Sequence, residues 1–486
     1  MHAILERHRT IEVVASAALA ALLATGATAR ADAGANAGAD ATATSTAVVR
    51  HKTAPTDPDT VVINFMGDVS YPSGWGGWDY IDKQKSLLYR QVQRIFDSAD
   101  LNFANIECPI TDSEATAKKR FPIRCKPRQI PYFINAGLDF FSLANNHSID
   151  VGSVGLHDTI ENLKKVDSDQ RPLWWAGIGT DRVDAAVPAH FTVPGKHVVI
   201  TLIAVANTSG RGRVAGFHDP ELPARVTEAA KSSDIVIVSS HYGPEYEHVP
   251  WKSAVDRYHE MIDAGATMVV AHHPHVVQGV EHYHGGVIFY SQGNFSFGSK
   301  TRRHLEKGAR MYSTIGRVTF YKGKLARVEI IPLYANNMAP WILDGKAIDP
   351  RHAEPQLLAG PFANYALDEF VDFAHKIPGA EKTNFIRVGD RMFVDLGNDG
   401  FDEAERAKLV AQQKREYQAV LDAGVGPRTA TEAEDRRHQR AGTPWPPRPP
   451  EPKSHKRGKI RKAHGKKHGR HHERAGKRSS SRRKKH

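Results

Sequence analysis

From Met268 to His275 the chain reads Met-Val-Val-Ala-His-His-Pro-His, and this stretch constrains the fold more than any other. The short apolar run predicts a buried strand, and the three histidines then fall in the loop at its C-terminal end. That is where open α/β sheets place their chemistry. Neutral imidazole is the commonest protein metal ligand. His273 and His275, two positions apart, can point into one cleft, with Pro274 stiffening the segment between them. A merely histidine-rich loop is the alternative, and other strand ends decide between the two.

The same pattern recurs along the chain. Val61 to Met66 predicts a strand that ends at Gly67-Asp68, and Leu101 to Ile106 one that ends at Glu107. Asp139 to Ala144 runs into Asn145-Asn146-His147, and Asp234 to Ser239 into His241. Further strands are predicted over Leu173–Gly177 and His197–Ala206, with strand pairs over Val276–His282 with Gly286–Tyr290 and Thr314–Tyr321 with Leu325–Ile331. Helical periodicity over Lys85–Ala99, Gly155–Lys165, Leu222–Lys231 and Ser253–Ala264 alternates with them, which predicts an α/β fold. Asp68, Glu107, Asn146, His241, His273 and His275 are all residue types that bind divalent metals. Their recurrence at successive strand ends predicts a metal site.

The two ends of the 486-residue chain differ from its middle. Residues 1–31 carry Arg7 and Arg9, an apolar stretch from Val13 to Ala24 and the small residues Ala29-Arg30-Ala31. This is the pattern of a cleaved secretory signal, and the stretch is shorter than the roughly 20 residues of a membrane-spanning helix. Residues 32–60, rich in Ala, Gly, Thr, Asp and Pro, predict a disordered linker. The globular part is then 61–345, with 346–425 as a C-terminal extension. In that extension a helix over Glu403–Ala423 follows strand-like Asn384–Val388 and Arg391–Leu396.

Two cysteines, Cys108 and Cys125, suit a disulfide in an exported chain, with two buried thiols as the alternative. A disulfide would hold the basic loop carrying Arg124, Lys126 and Arg128 beside Glu107. Of the net charge of +12, the segment Glu451–His486 supplies 16 Lys and Arg against two Glu, so the rest of the chain is nearly neutral. Residues 426–486 thus predict a disordered Pro-rich and basic tail. Its expected partner is a polyanion or an anionic surface. Export favours envelope polymer or lipid over nucleic acid.

With these residues in hand, the chain resembles the CapA family of bacterial capsule (poly-γ-glutamate) synthesis proteins, a branch of the calcineurin-like metallophosphatase superfamily. The resemblance runs from about Val61 to Gly298. It rests on Gly67-Asp68, Asn105-Ile106-Glu107, Asn145-Asn146-His147, His241-Tyr242-Gly243, His272-His273-Pro274-His275 and Ser291-Gln292-Gly293-Asn294-Phe295. It implies an αββα two-sheet sandwich with metals at the strand ends. Asp68 would hold one metal, Glu107 would bridge two, Asn146 and His241 would hold the second, and His273 and His275 would give one ligand to each. His272 leaves a one-residue ambiguity in that match.

The resemblance also makes His147 the imidazole that protonates a leaving oxygen, with Arg124, Lys126 and Arg128 as an anion clamp. One or two divalent ions (Mn, Fe or Zn) would assist hydrolysis of a phosphoester. Two departures bear on this. Ser70 stands where many metallophosphatases have histidine, and Glu107 where the bridging residue is usually aspartate. The first reading is therefore an exported metal-dependent hydrolase serving an anionic surface polymer. The second is a non-catalytic polymer-binding protein that keeps the fold, and the third is a metal-dependent amidase acting on γ-glutamyl bonds.

Overall fold

In the computed structural model the described residues are 53–71, 89–115, 119, 122–168, 171–208, 210–297, 311–335, 341–348, 354–380, 382–397, 402–422 and 428–429. The expected signal segment, most of the linker and all but two residues of the expected tail lie outside them. Among the described residues no helix is long and apolar enough to cross a membrane.

In chain order the elements begin with β1 (Thr60–Ser70), α1 (Gln93–Asp97), β2 (Leu101–Ile106), α2 (Ile130–Ala136) and β3 (Phe140–Ser142). There follow α3 (Gly152–Lys164), β4 (Trp174–Ala176), β5 (Ala189–Thr192), β6 (Val199–Ala206), α4 (Leu222–Ala230), β7 (Ile235–His241) and α5 (Lys252–Asp263). Then come β8 (Met268–His272), β9 (Val277–Tyr283), β10 (Gly286–Gln292), β11 (Asn294–Phe297), β12 (Tyr312–Tyr321) and β13 (Lys324–Tyr334). A hairpin of β14 (Trp341–Leu343) and β15 (Lys346–Ile348) precedes β16 (Gln356–Leu357), α6 (Pro361–Ala374), β17 (Phe385–Val388), β18 (Arg391–Val394) and α7 (Glu403–Asp422).

Two sheets form the body. The first has the order β17-β18-β13-β12-β1-β2-β3-β4, with β11 also paired to β1, and the second has the order β5-β6-β7-β8-β10-β9. Within them β1-β2-β3-β4 and β6-β7-β8-β10 are parallel runs. Strands such as Ile235-Val-Ile-Val and Met268-Val-Val are apolar on both faces, as parallel strands covered on both sides must be.

Alternation then sorts their side chains into two layers. Ile237, Met268 and Val270 join Phe65, Phe103 and Phe140 in the core between the sheets. Val236, Val238 and Val269 pack outward on Leu222 and Val226 of α4 and Val255, Tyr258 and Met261 of α5. Helices α1, α2 and α3 contribute Phe96, Phe133 and Leu156 to the first sheet's cover. The result is the two-sheet sandwich that the family resemblance implies.

Some elements differ from the sequence expectation. The helix expected over Lys85–Ala99 is helical only at Gln93–Asp97 among its described residues. The carbonyls at its end are taken by tertiary donors, since Arg317 reaches Ile95 O at 3.2 Å and Ser98 O at 2.7 Å and Asn64 reaches Ile95 O at 3.0 Å. The β12–β13 hairpin forms as expected, and Lys322 and Gly323 both have positive φ (50° and 73°), as a two-residue type I′ turn requires. Beyond residue 345, β16, β17 and β18 continue the first sheet alongside β13. Arg391, 1% exposed, ties β18 to α7 through Glu416 at 3.1 Å and to β13 through Glu329 at 3.3 Å.

Candidate metal centre

The C-terminal ends of β1, β2 and β3 in one sheet and of β7 and β8 in the other converge on one cleft. Asp68 lies two positions before the last residue of β1, at a register shift against β2. Gly67 makes that position possible: a Cβ there would sit 1.7 Å from Gly293 O. Only glycine admits the approach of β1 to the segment leading into β11, where Asp68 N donates to Gly293 O at 3.2 Å. Glu107 follows β2, with its backbone N–H bonded to Val69 O at 2.8 Å. His241 and His272 are the last residues of β7 and β8 and are paired in register.

His273 and His275 adopt φ of 99° and 58°, left-handed values that non-glycine residues adopt at a cost of about 1–3 kcal/mol each. The neighbouring backbone holds them there, with Tyr246 N donating to Pro274 O at 2.8 Å and Tyr242 N to His272 O at 3.1 Å.

Two groups of ligand-type side chains result, Asp68 with Glu107 and His275, and Glu107 with His241 and His273. In each group the ligand atoms lie within 4.8 Å of one another, and Glu107 belongs to both. Glu107 is fully buried, and neither carboxylate oxygen receives a hydrogen bond. Its Oε1 lies 3.6 Å from His241 Nε2 and 3.8 Å from both His275 Nε2 and His147 Nε2. An ionised carboxylate buried without donors is strongly disfavoured unless a cation meets it. The donor set therefore fits divalent metal, with carboxylate and imidazole ligands around a shared carboxylate. Asn146 adds an amide oxygen 3.2 Å from His241 Nε2.

The electrostatics describe the same need. Burial pushes the Glu107 carboxyl well above the usual carboxylate range. Burial opposes ionisation of Asp68 too, but His272 and His275 hold it well below that range. Burial works against the His275 imidazolium, yet Glu107 and Asp68 outweigh it and raise His275 to about 10. Burial and neighbouring imidazoles depress His241 strongly and His273 to about 4. Without a cation, a proton on His275 balances the cluster.

Residues 62–299, which contain all these groups, match the family model described as bacterial capsule synthesis protein PGA_cap. The chain is 30% identical over 298 residues to the PGA biosynthesis protein CapA of Bacillus subtilis (strain 168), covering 58% of this chain and 73% of that protein. The chain belongs to the CapA family. The capsule biosynthesis protein CapA of Bacillus anthracis is 30% identical over 237 residues, which is 46% of this chain and 54% of that one. A probable polyglutamine synthesis accessory protein of Mycobacterium tuberculosis is 30% identical over 215 residues, 40% of this chain and 55% of the relative. This CapA-family chain thus spans a little over half the length of the latter two.

The remaining predicted residues fall around the centre. Cys108 and Cys125 form the disulfide, with Cα atoms 5.7 Å apart. Arg124 lies 3.6 Å from Glu114 and donates to Ser113 O, and Lys126 lies 3.0 Å from Asp112, so both charges are paired within their own loop. Arg128 sits in the short turn Pro127–Gln129 that leads into α2. From the same disulfide-closed loop it is Lys119, absent from the sequence expectation, that reaches the centre. Its Nζ lies 2.9 Å from Asp150 Oδ1, 3.1 Å from His147 Nδ1 and 2.8 Å from Asn146 O.

Asp150 also receives the Ile123 N–H at 2.8 Å and contacts His147 Nδ1 at 2.6 Å, which leaves His147 Nε2 facing Glu107. Burial lowers the His147 pKa, and Asp150 partly offsets that. Sequence reasoning also missed Asn105, which donates to Asp68 Oδ1 at 2.8 Å, and Asn294, whose Oδ1 is 2.9 Å from His275 Nδ1. Both lie in the motifs quoted for the family, so the signal was present without an assigned role.

Proposed function

We propose that this chain is a metal-dependent hydrolase of the phosphoesterase type that acts outside the cytoplasm in synthesis of capsule or poly-γ-glutamate polymer. The observation that carries the reading is Glu107, a buried carboxylate with no hydrogen-bond donor, shared by two ligand groups. The relatives' names, PGA biosynthesis, capsule biosynthesis and polyglutamine synthesis accessory protein, support the polymer context. Divalent cations in such a centre would lower the pKa of water and neutralise charge on phosphoryl oxygens.

The chain's own residues supply orientation and protons. Asp68, Glu107, His241, His273 and His275, with Asn146, form the ligand set. His147 presents Nε2 to the cleft because Asp150 occupies Nδ1, and Asp150 favours the imidazolium that burial disfavours, as a proton donor to a leaving oxygen requires. Lys119 adds a positive charge beside His147 and Asn146 where an anionic substrate would lie.

The test is turnover of a chromogenic phosphodiester by metal-loaded parent and His147→Ala. A loss of about 10²–10⁴-fold with unchanged metal content supports the hydrolase. A second reading, a non-catalytic binder of anionic polymer, draws on Ser70 in place of a histidine ligand and on the basic C-terminal segment. It predicts no turnover from the metal-loaded parent, together with salt-sensitive polymer binding that is lost when residues 451–486 are removed.

A further inference from the structure

Neither ligand group uses His272, although it opens the His-His-Pro-His run. It is 1% exposed, and apart from one carboxylate neighbour its ring nitrogens have no polar partner. Its ring lies against Phe103, with centroids 5.8 Å apart, and its Nδ1 is 3.4 Å from Asp68 Oδ1. A buried imidazole whose one polar neighbour is a single carboxylate oxygen is costly, and polar groups of this kind call for an explanation.

Asp68 supplies one. Its Oδ2 faces the cleft, 3.3 Å from His275 Nδ1, while Oδ1 faces Asn105 Nδ2 at 2.8 Å and His272. Two positions further along β1, Ser70 is also fully buried, with Oγ unpartnered. Position 70 thus brings a short hydroxyl and no imidazole to the first strand end. His272 brings an imidazole to Asp68 from the end of β8 in the other sheet.

We propose that His272 is a positioning residue for the metal centre: its Nδ1–H holds Asp68 Oδ1 so that Oδ2 is aimed into the group formed with Glu107 and His275. It acts through Asp68 and is not itself a ligand, since it lies outside both ligand groups. The inference rests on the metal-centre reading and is independent of whether the centre hydrolyses anything. Partners that orient a ligating carboxylate or histidine typically change metal affinity 10–100-fold.

The experiment compares His272→Phe and His272→Asn with the parent chain, measuring manganese and zinc affinity by competition with a chromogenic chelator and the thermal midpoint of the metal-free proteins. Phenylalanine fills the space beside Phe103 without a donor, and asparagine retains one. The expected result is a 10–100-fold loss of affinity at one of two sites in His272→Phe, with a metal-free midpoint equal to or above the parent's, and affinity within a few-fold of the parent in His272→Asn. A purely structural histidine would instead lower the midpoint and leave affinity unchanged, which overturns the proposal. Should His272→Phe not fold, His272→Ala is read by the same affinity criterion. Metal on the parent with equal affinity on the variants overturns this inference alone, whereas no metal on the parent overturns the metal centre with it.

Discussion

Replacing Glu107 by glutamine removes one charge from the centre and almost no volume. In the metal-free protein the substitution should matter little, because burial already favours the protonated carboxyl, which an amide mimics. The expected change in metal-free stability is within about 1 kcal/mol. Metal binding should suffer far more, since Glu107 belongs to both ligand groups. A unit charge pair at about 4 Å with an effective dielectric of about 20 is worth roughly 4 kcal/mol, or about 10³-fold in affinity.

Mass action turns this into a thermal shift. At a metal concentration of about 100 times the parent's Kd, the parent gains about 2.7 kcal/mol while the variant gains almost nothing. At roughly 2–4 °C per kcal/mol for domains of 150–250 residues, and less for a longer chain, the parent's midpoint should rise by about 5–10 °C at most. The assay is thermal unfolding of chelator-stripped parent and Glu107→Gln, with and without added manganese. An equal metal-induced rise in both proteins would refute the assignment of Glu107 as the shared ligand.

Three further outcomes follow from the geometry. Gly67→Ala would drive a methyl group into Gly293 O, so it should destabilise by about 1–3 kcal/mol or more in urea unfolding and reduce metal content by displacing Asp68; an unchanged urea midpoint would contradict the close approach. Replacing both Cys108 and Cys125 by serine opens a loop spanning 17 positions and should cost about 3 kcal/mol, measured by denaturant midpoint beside a thiol count of the parent; free thiols in the folded parent would contradict the disulfide. His275, raised to about 10, carries a proton in the metal-free protein at neutral pH. Metal must displace that proton and the one that burial favours on Glu107, so binding should release more than one proton, up to about two, and strengthen by about tenfold or more per pH unit between about pH 7 and 9; calorimetry in buffers of different ionisation enthalpy that shows no release would reject this.

An α/β fold was legible because its parallel strands are apolar on both faces and are separated by amphipathic helices, whereas the two-sheet sandwich followed from the family resemblance. Ligand-type residues at the strand ends were legible for the related reason that strand termini in such sheets face a common cleft. The structure brings Asp68, Glu107, Asn146, His147, His241, His273 and His275 together there, while Arg124 and Lys126 pair with Glu114 and Asp112. What was hidden depends on long-range packing. Lys119 lies 28 positions from His147 and reaches it on a loop closed by the disulfide.

Strand β5 was missed because it is four residues long with exposed His190 and Thr192 alternating with Phe191. Helix α6 carried a usable signal, Pro361 at its first turn with Phe362, Leu367 and Phe370 buried, which the sequence reading passed over. His272 shows a finer limit. Sequence spacing cannot say which of three neighbouring histidines faces the cleft, because that depends on where β8 ends and on left-handed backbone at His273 and His275.

The central claim, a divalent-metal centre in which Glu107 is shared by both ligand groups, is tested most directly by elemental analysis of the purified protein with residues 451–486 removed, so that the histidines of that segment cannot contribute. The account predicts close to two equivalents of a transition metal per chain, lost in the Glu107→Gln variant. A protein that holds no metal and takes up none from manganese, zinc or iron would contradict it.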